Sequence, residues 1–179
     1  MTASGSRASR RRQKHNCDMV IFKWDTLREV GSETLRYESG PIPGKVYEIE
    51  LTSGPIVRVW GSDDRQQYFC HGLTFGGKDA PGGAVSPYGT EIPTILRGNY
   101  DAVPESQALP GDILVWRGTD ANDVVHSAIL TDPVVVGGLD YLDYSTKLRS
   151  KNGNKPEATL TLEEIILEYG EAYNIYRGR

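Results

Sequence analysis

Leu109-Pro110-Gly111-Asp112-Ile113-Leu114-Val115-Trp116-Arg117 and the following Val124-Val125-His126-Ser127-Ala128-Ile129-Leu130 decide the class of this fold. Short apolar, β-branched runs bounded by Pro-Gly and Asp132-Pro133 read as buried strands rather than helices. Gly137-Gly138 introduces a third such run, Leu139 to Tyr144. Upstream, Lys45 to Leu51 alternates, with Tyr47, Ile49 and Leu51 on one face, and Ile56 to Trp60 is β-rich. Thr52-Ser53-Gly54-Pro55 between them is turn chemistry, so the two runs predict a β-hairpin. Helices are few. Asp25 to Ser39, with Leu27, Val30 and Leu35, reads as a helix closed by Pro41-Ile42-Pro43-Gly44. A short helix is expected from Cys70 to the Gly76-Gly77 pair. Thr161-Leu162-Glu163-Glu164 is a capping box opening a helix to Tyr169, stopped by Gly170. Ala172 to Tyr176 closes the pattern as a strand. The expected class is α+β with a small antiparallel sheet.

The 179 residues suit one domain with a tail, and the 20 glycines and 10 prolines suit many turns. Residues 1–16 read as a disordered basic tail, 17–60 as an N-terminal extension carrying the hairpin, and 61–179 as the main domain. Arg7, Arg10, Arg11, Arg12 and Lys14 face no acid in the first 15 residues; removing these five from a net charge of −4 leaves −9 on residues 16–179. An acidic body argues against a nucleic-acid-binding core. No apolar run approaches the ~20 residues of a membrane span. No apolar stretch precedes Asp18, so an ordinary secretory signal is not expected, and the location would be cytoplasmic or reached by a non-classical export route.

Two cysteines do not build a disulfide scaffold at this length. Cys17 borders the tail and reads as an incidental thiol. Cys70 sits in Gln66-Gln67-Tyr68-Phe69-Cys70-His71-Gly72, at the expected start of a helix, where free N–H groups and partial positive charge lower a thiol pKa. A thiol becomes a nucleophile when an imidazole takes its proton. Of the three histidines, His15 lies in the tail and His71 is the neighbour of Cys70, where successive side chains diverge. His126 is thus the expected base. The plainer alternatives are a buried, inert cysteine and a core histidine whose ring is merely satisfied. Asp143, in the expected third strand, is the preferred group to orient His126; Asp140, Ser150 and Asn152 remain open. Gln67, Tyr68 and His71 are candidates for oxyanion and substrate contacts, and residues 78–90 form a loop able to shape a cleft.

Gly72 to Gly77-Lys78-Asp79 has the glycine spacing of a phosphate-binding loop, but Asp79 stands where the metal-holding hydroxyl belongs. Cys70-His71 lacks further soft ligands at useful spacing, so neither a metal nor any other cofactor is expected.

The order Cys70, then Pro110-Gly111-Asp112-Ile113-Leu114-Val115-Trp116, then His126-Ser127-Ala128-Ile129-Leu130 resembles the papain-like superfamily of NlpC/P60 and CHAP amidases over roughly residues 66–178. The resemblance implies a nucleophile helix packed on a small antiparallel sheet, Cys70 as nucleophile, His126 as base, and a third polar group on a following strand, which favours Asp143. Lys147 to Gly153 and the closing Tyr169-Gly170 and Tyr176-Arg177 look like a bacterial branch with an S-K-W-G-type segment, Asn152 replacing the tryptophan. Phe69-Cys70-His71-Gly72 departs from the usual D-C-S-G wording, and Cys before His is not the order of the circularly permuted acyltransferases. The implied function is hydrolysis of an amide, with a cell-wall stem peptide or another peptide as substrate. Two further readings are a toxin or effector that deamidates or transamidates a target protein, accompanied by an immunity or carrier protein, and a non-catalytic binding module.

Overall fold

The computed structural model describes residues 19–179. The readings of residues 1–16 as a tail, His15 as part of it and Cys17 as an incidental thiol lie outside the described residues. The architecture is mixed α+β, with two antiparallel sheets and few helices. Strands β1 (Phe22–Tyr37), β2 (Gly40–Leu51), β3 (Ile56–Ser62) and β4 (Ser86–Pro87) form one sheet in that order. The second has the order β5 (Tyr100–Val103), β10 (Tyr173–Gly178), β6 (Ile113–Arg117), β7 (Val124–Asp132), β8 (Lys147–Ser150), β9 (Ala158–Thr161). Helices α1 (Cys70–Thr74), α2 (Ile92–Asn99) and α3 (Leu162–Tyr169) complete the fold. Among the described residues no helix is long and apolar enough to cross a membrane.

The second sheet is buried on both sides through β6 and β7, which is why those strands are almost continuously apolar. Ile113, Val115 and Ile129 face one core with α1, α2 and the first sheet; Leu114, Trp116, Ala128 and Leu130 face another under α3. Trp116 pairs with His126 and Val115 with Ser127 across the strands. Asp112, the acid of the Pro-Gly-Asp turn, is buried and takes both oxygens to Arg177 of β10, at 2.8 and 2.7 Å. Such a two-pronged pair fixes geometry as well as charge, and here it pins β10 beside β6. The capping box of Thr161 and Glu164 opens α3 as its sequence signals.

Two readings of local structure are corrected, and one helix is added. Asp25 to Ser39 is not a helix but most of β1, paired with β2 along its length. Its polar residues find cross-strand partners, Lys23 with Glu50, Arg28 with Glu48 at 2.5 Å, and Glu29 with Lys45 at 3.8 Å. Such pairs support a ladder that a sparse apolar pattern cannot announce. Leu139 to Tyr144 is a turn region with one bridge, Val135 to Leu142, because Asp140 and Gly138 take left-handed φ values of 53° and 80°. The strand that follows β7 is instead Lys147–Ser150. Helix α2, unread in the sequence, buries Ile92, Ile95, Leu96 and Asn99, with Pro93 in its first turn.

A boundary at residue 60 cuts through β3. Ile21, Phe22, Ile49, Leu51, Val57 and Val59 share one core with Leu73, Phe75, Ile95 and Ile113. The N-terminal hairpin is therefore part of the floor under α1. That helix lies hard against β4: a Cβ on Gly72 would stand 2.5 Å from Ser86 Oγ and 2.7 Å from Val85 O. Gly72→Ala is expected to destabilise by about 1–3 kcal/mol through overpacking. Gly137→Ala, where a Cβ meets nothing within 4 Å, should stay within about 0.5 kcal/mol. Urea denaturation of the two variants measures the difference.

Candidate active site

Phe69 precedes α1 in extended conformation, and its N–H donates to Ser86 Oγ at 2.9 Å. Its ring stacks on Tyr37 at 4.8 Å and tilts against Trp60 at 5.3 Å. This aromatic clamp sets where the helix starts. Cys70 is its first residue, with 8% of its surface exposed. Tyr37 comes from the tip of the β1–β2 hairpin, so the N-terminal extension supplies a wall of the site.

Two imidazoles meet the thiol. His71 Nδ1 lies 3.6 Å from Cys70 Sγ and 2.8 Å from Ser127 Oγ, and Nε2 donates to the Val124 carbonyl at 2.9 Å. Ser127 Oγ donates onward to Thr74 Oγ1 at 2.9 Å. Both His71 nitrogens thus face acceptors, the setting of a charged ring. Burial opposes that charge, but Cys70, through charge and hydrogen bonding, and the Val124 carbonyl hold the His71 pKa above the ordinary histidine value. Setting His71 aside because it neighbours Cys70 is corrected. So is its assignment to substrate contact: the ring is buried and both its nitrogens are engaged.

His126 is fully buried and close enough to Cys70 to act on its charge. Its ring stacks on Tyr169 at 4.0 Å, nearly parallel at 4°, and tilts against Trp116 at 5.5 Å. Nε2 lies 2.9 Å from Ser150 Oγ. Ser150 donates to Asn152 Oδ1 at 3.0 Å, and Asn152 Nδ2 donates to Glu168 at 2.7 Å. Read back from the carboxylate, every step has one direction. Asn152 must turn its oxygen to Ser150, Ser150 must spend its proton there, and Nε2 must carry the proton it shares with Ser150. Nδ1 is then a bare lone pair. It is buried with no hydrogen-bond partner among the described residues, and it is the nitrogen of His126 left for the thiol. Burial alone would raise the Cys70 pKa, but the charge of His71, the nearness of His126 and the His71 hydrogen bond hold it well below the ordinary thiol value.

Asp143 does not take the place expected of it. Its Oδ1 accepts from Ser145 N and Oγ at 2.8 and 2.5 Å, and those bonds hold its carboxyl below the usual range. Asp143 lines a separate cavity with Tyr141, Tyr144 and Tyr173. The strand that was to carry it beside His126 does not form, and Asp140 turns in an exposed left-handed bend. Ser150, with Asn152 behind it, occupies the orienting position. Gln67 donates its N–H to Ser62 Oγ at 3.0 Å and lines an outer cavity with Asn154 and Ser39. Tyr68 directs its hydroxyl to Glu157 at 2.5 Å, and burial and that carboxylate push its pKa up to about 12. Its hydroxyl is therefore spent on Glu157 rather than offered to an oxyanion. Ser127, Thr74, Tyr169, Tyr37 and Glu168 were unread; only the Ser150-Lys151-Asn152-Gly153 run gave a signal for this side of the site.

Among the described residues no three His, Cys, Asp or Glu side chains are grouped as metal ligands. No family model matches the chain, and no curated protein or solved structure matches it.

The geometry predicts that Cys70 alkylates by iodoacetamide with an apparent pKa below the ~8.5 of a free cysteine. Lowered thiol pKa means the thiolate persists as pH falls, so the reaction at pH 6 should outpace that of Cys17. Ser150→Ala should raise the apparent pKa, and His71→Gln should raise it further. Peptide-resolved mass spectrometry across pH reads all three.

Proposed function

We propose that the chain is a papain-like cysteine hydrolase of an amide bond, with a cell-wall stem peptide or another peptide as substrate. The observation that carries this reading is the bare, buried His126 Nδ1, fixed by the Ser150–Asn152–Glu168 relay beside a thiol whose pKa is depressed. A core histidine at rest would have both nitrogens satisfied; leaving one idle in the interior costs stability unless it serves a reaction. The order of elements also supports the reading: Cys70 opens a helix, Pro110-Gly111-Asp112 leads into β6, and His126 lies on the next strand of an antiparallel sheet.

In the mechanism, His71 stays cationic and lowers the cost of forming the thiolate. The thiol proton passes to His126 Nδ1, and Sγ bonds to the carbonyl carbon while the C=O pair moves onto oxygen. His126 then gives that proton to the amine as the C–N bond breaks, leaving a thioester on Cys70. Water adds next, its proton taken by His126 Nδ1; the C–S bond then breaks with its pair going to sulfur, which regains that proton as the acid leaves. Tyr169 keeps the imidazole's orientation through both halves by stacking against its face.

A second reading is favoured by one feature. Only 8% of the Cys70 surface is exposed, and Tyr37 and Tyr169 are both close enough to interact with its charge. A slender glutamine side chain fits such an approach better than a branched main chain, which favours deamidation or transamidation of a target protein. Wild-type protein and Cys70→Ala, incubated with cell-wall fragments and with glutamine-rich protein, separate the readings by mass spectrometry. New amine ends mark hydrolysis; conversion of carboxamide to acid without cleavage marks deamidation. His126→Gln should lose about 100-fold or more in rate. Equal product from wild type and Cys70→Ala would reject both enzymatic readings in favour of a binding module.

A further inference from the structure

Lys151 is 94% buried, in the turn that follows β8. The same turn places Ser150 on His126 and Gly153, at φ +58°, within 3.5 Å of the Tyr37 ring for a built Cβ. Its ammonium donates to the Lys155 carbonyl at 2.6 Å and stands 4.8 Å over the face of Tyr68. An ammonium has three protons to give, and only this one acceptor is in place. No carboxylate among the described residues pairs with it within 4.0 Å, and nearby Glu157 is taken by Lys78 at 2.6 Å, Arg149 at 2.7 Å and Tyr68. Burying a cation without a direct ion pair is costly; a cation–π contact, one carbonyl and the more distant charge of Glu157 offset part of that cost. Lys151 is also close enough to Cys70 for the two charges to interact. The residue therefore holds a desolvated positive charge, with unspent donors, over the ring two residues before Cys70.

We propose that Lys151, backed by the Tyr68 ring, is a carboxylate-binding subsite, so that the preferred substrates are amides bearing a free carboxylate close to the scissile bond. This inference rests on Cys70 being the nucleophile. It differs from a role in stabilising the thiolate alone, because a subsite discriminates between reagents that consume the same thiolate.

The test is alkylation of Cys70 in the full chain at pH 7 and low salt by iodoacetate, which carries a carboxylate, and by neutral iodoacetamide. The ratio of the two rates cancels the thiolate fraction. Normalised to N-acetylcysteinamide, the wild-type ratio should exceed unity by about tenfold, the size of a charged hydrogen bond. Lys151→Met should abolish that excess, whereas Lys155→Met, removing an exposed cation next door, should keep it within about twofold. Glutarate should protect wild-type Cys70 from iodoacetamide and glutaramide should not, which tests the subsite without any variant having to fold. If iodoacetamide reacts no faster at Cys70 than at Cys17, the nucleophile reading fails and the subsite with it. If iodoacetamide is fast but the wild-type ratio is near unity, or Lys151→Met leaves it unchanged, or both glutarate and glutaramide protect equally, the subsite alone is overturned.

Discussion

Everything at the candidate site depends on β7 being buried on both faces. In a strand, neighbours point to opposite sides, so His126 and Ser127 deliver the two halves of the site from one pair of adjacent residues. His126 enters the core under α3, where Trp116, Tyr169 and Ser150 hold its ring. Ser127 enters the core around α1, where it fixes His71 together with Thr74. The register of β7 with β6, Trp116 opposite His126 and Val115 opposite Ser127, sets both at once. A slip of one residue would exchange the two faces and dismantle both imidazole contacts.

In the proposed mechanism the two histidines divide labour that one residue cannot perform alone. There, the ring held by Val124 and Ser127 would supply a standing positive potential, and the ring whose buried Nδ1 has no partner would supply a place for a proton. A single imidazole asked to do both would lose its basic nitrogen whenever it carried the charge. The surrounding tyrosines, Tyr37, Tyr68 and Tyr169, exclude water without adding negative charge, since burial keeps their hydroxyls protonated above the ordinary tyrosine range. In such a water-poor setting each charge acts over a longer reach than at the surface.

Cys70, His126, the hairpin, the capping box and the strand after Pro110-Gly111 were legible because each carries a local signature: a turn pair, an alternation or a residue type with few copies. What was hidden depended on partners distant in sequence. β1 is polar and was misread as a helix, because its ladder needs β2 beside it with Glu48 and Glu50. His71 was discounted from the divergence of successive side chains, yet at the first turn of a helix an imidazole is wide enough to present Nδ1 to its neighbour's sulfur. Asp143 was chosen by residue type, a carboxylate being the usual partner of a base. The structure reaches a carboxylate too, Glu168, but through a serine and an amide, and a relay of three residues from two elements leaves no spacing to read.

The relay and the stacking ring also bear on the order in which the chain is made. Glu168 and Tyr169 close α3, far along the sequence from Cys70, and β10 must insert between β5 and β6 before the second sheet is continuous. Contacts of such separation form late in folding. The surroundings that set the Cys70 pKa are therefore incomplete until the final helix docks. Under the hydrolase proposed above, a nucleophile assembled in this way would not act on its own nascent chain or on whatever lies near it until the fold that confines it is complete.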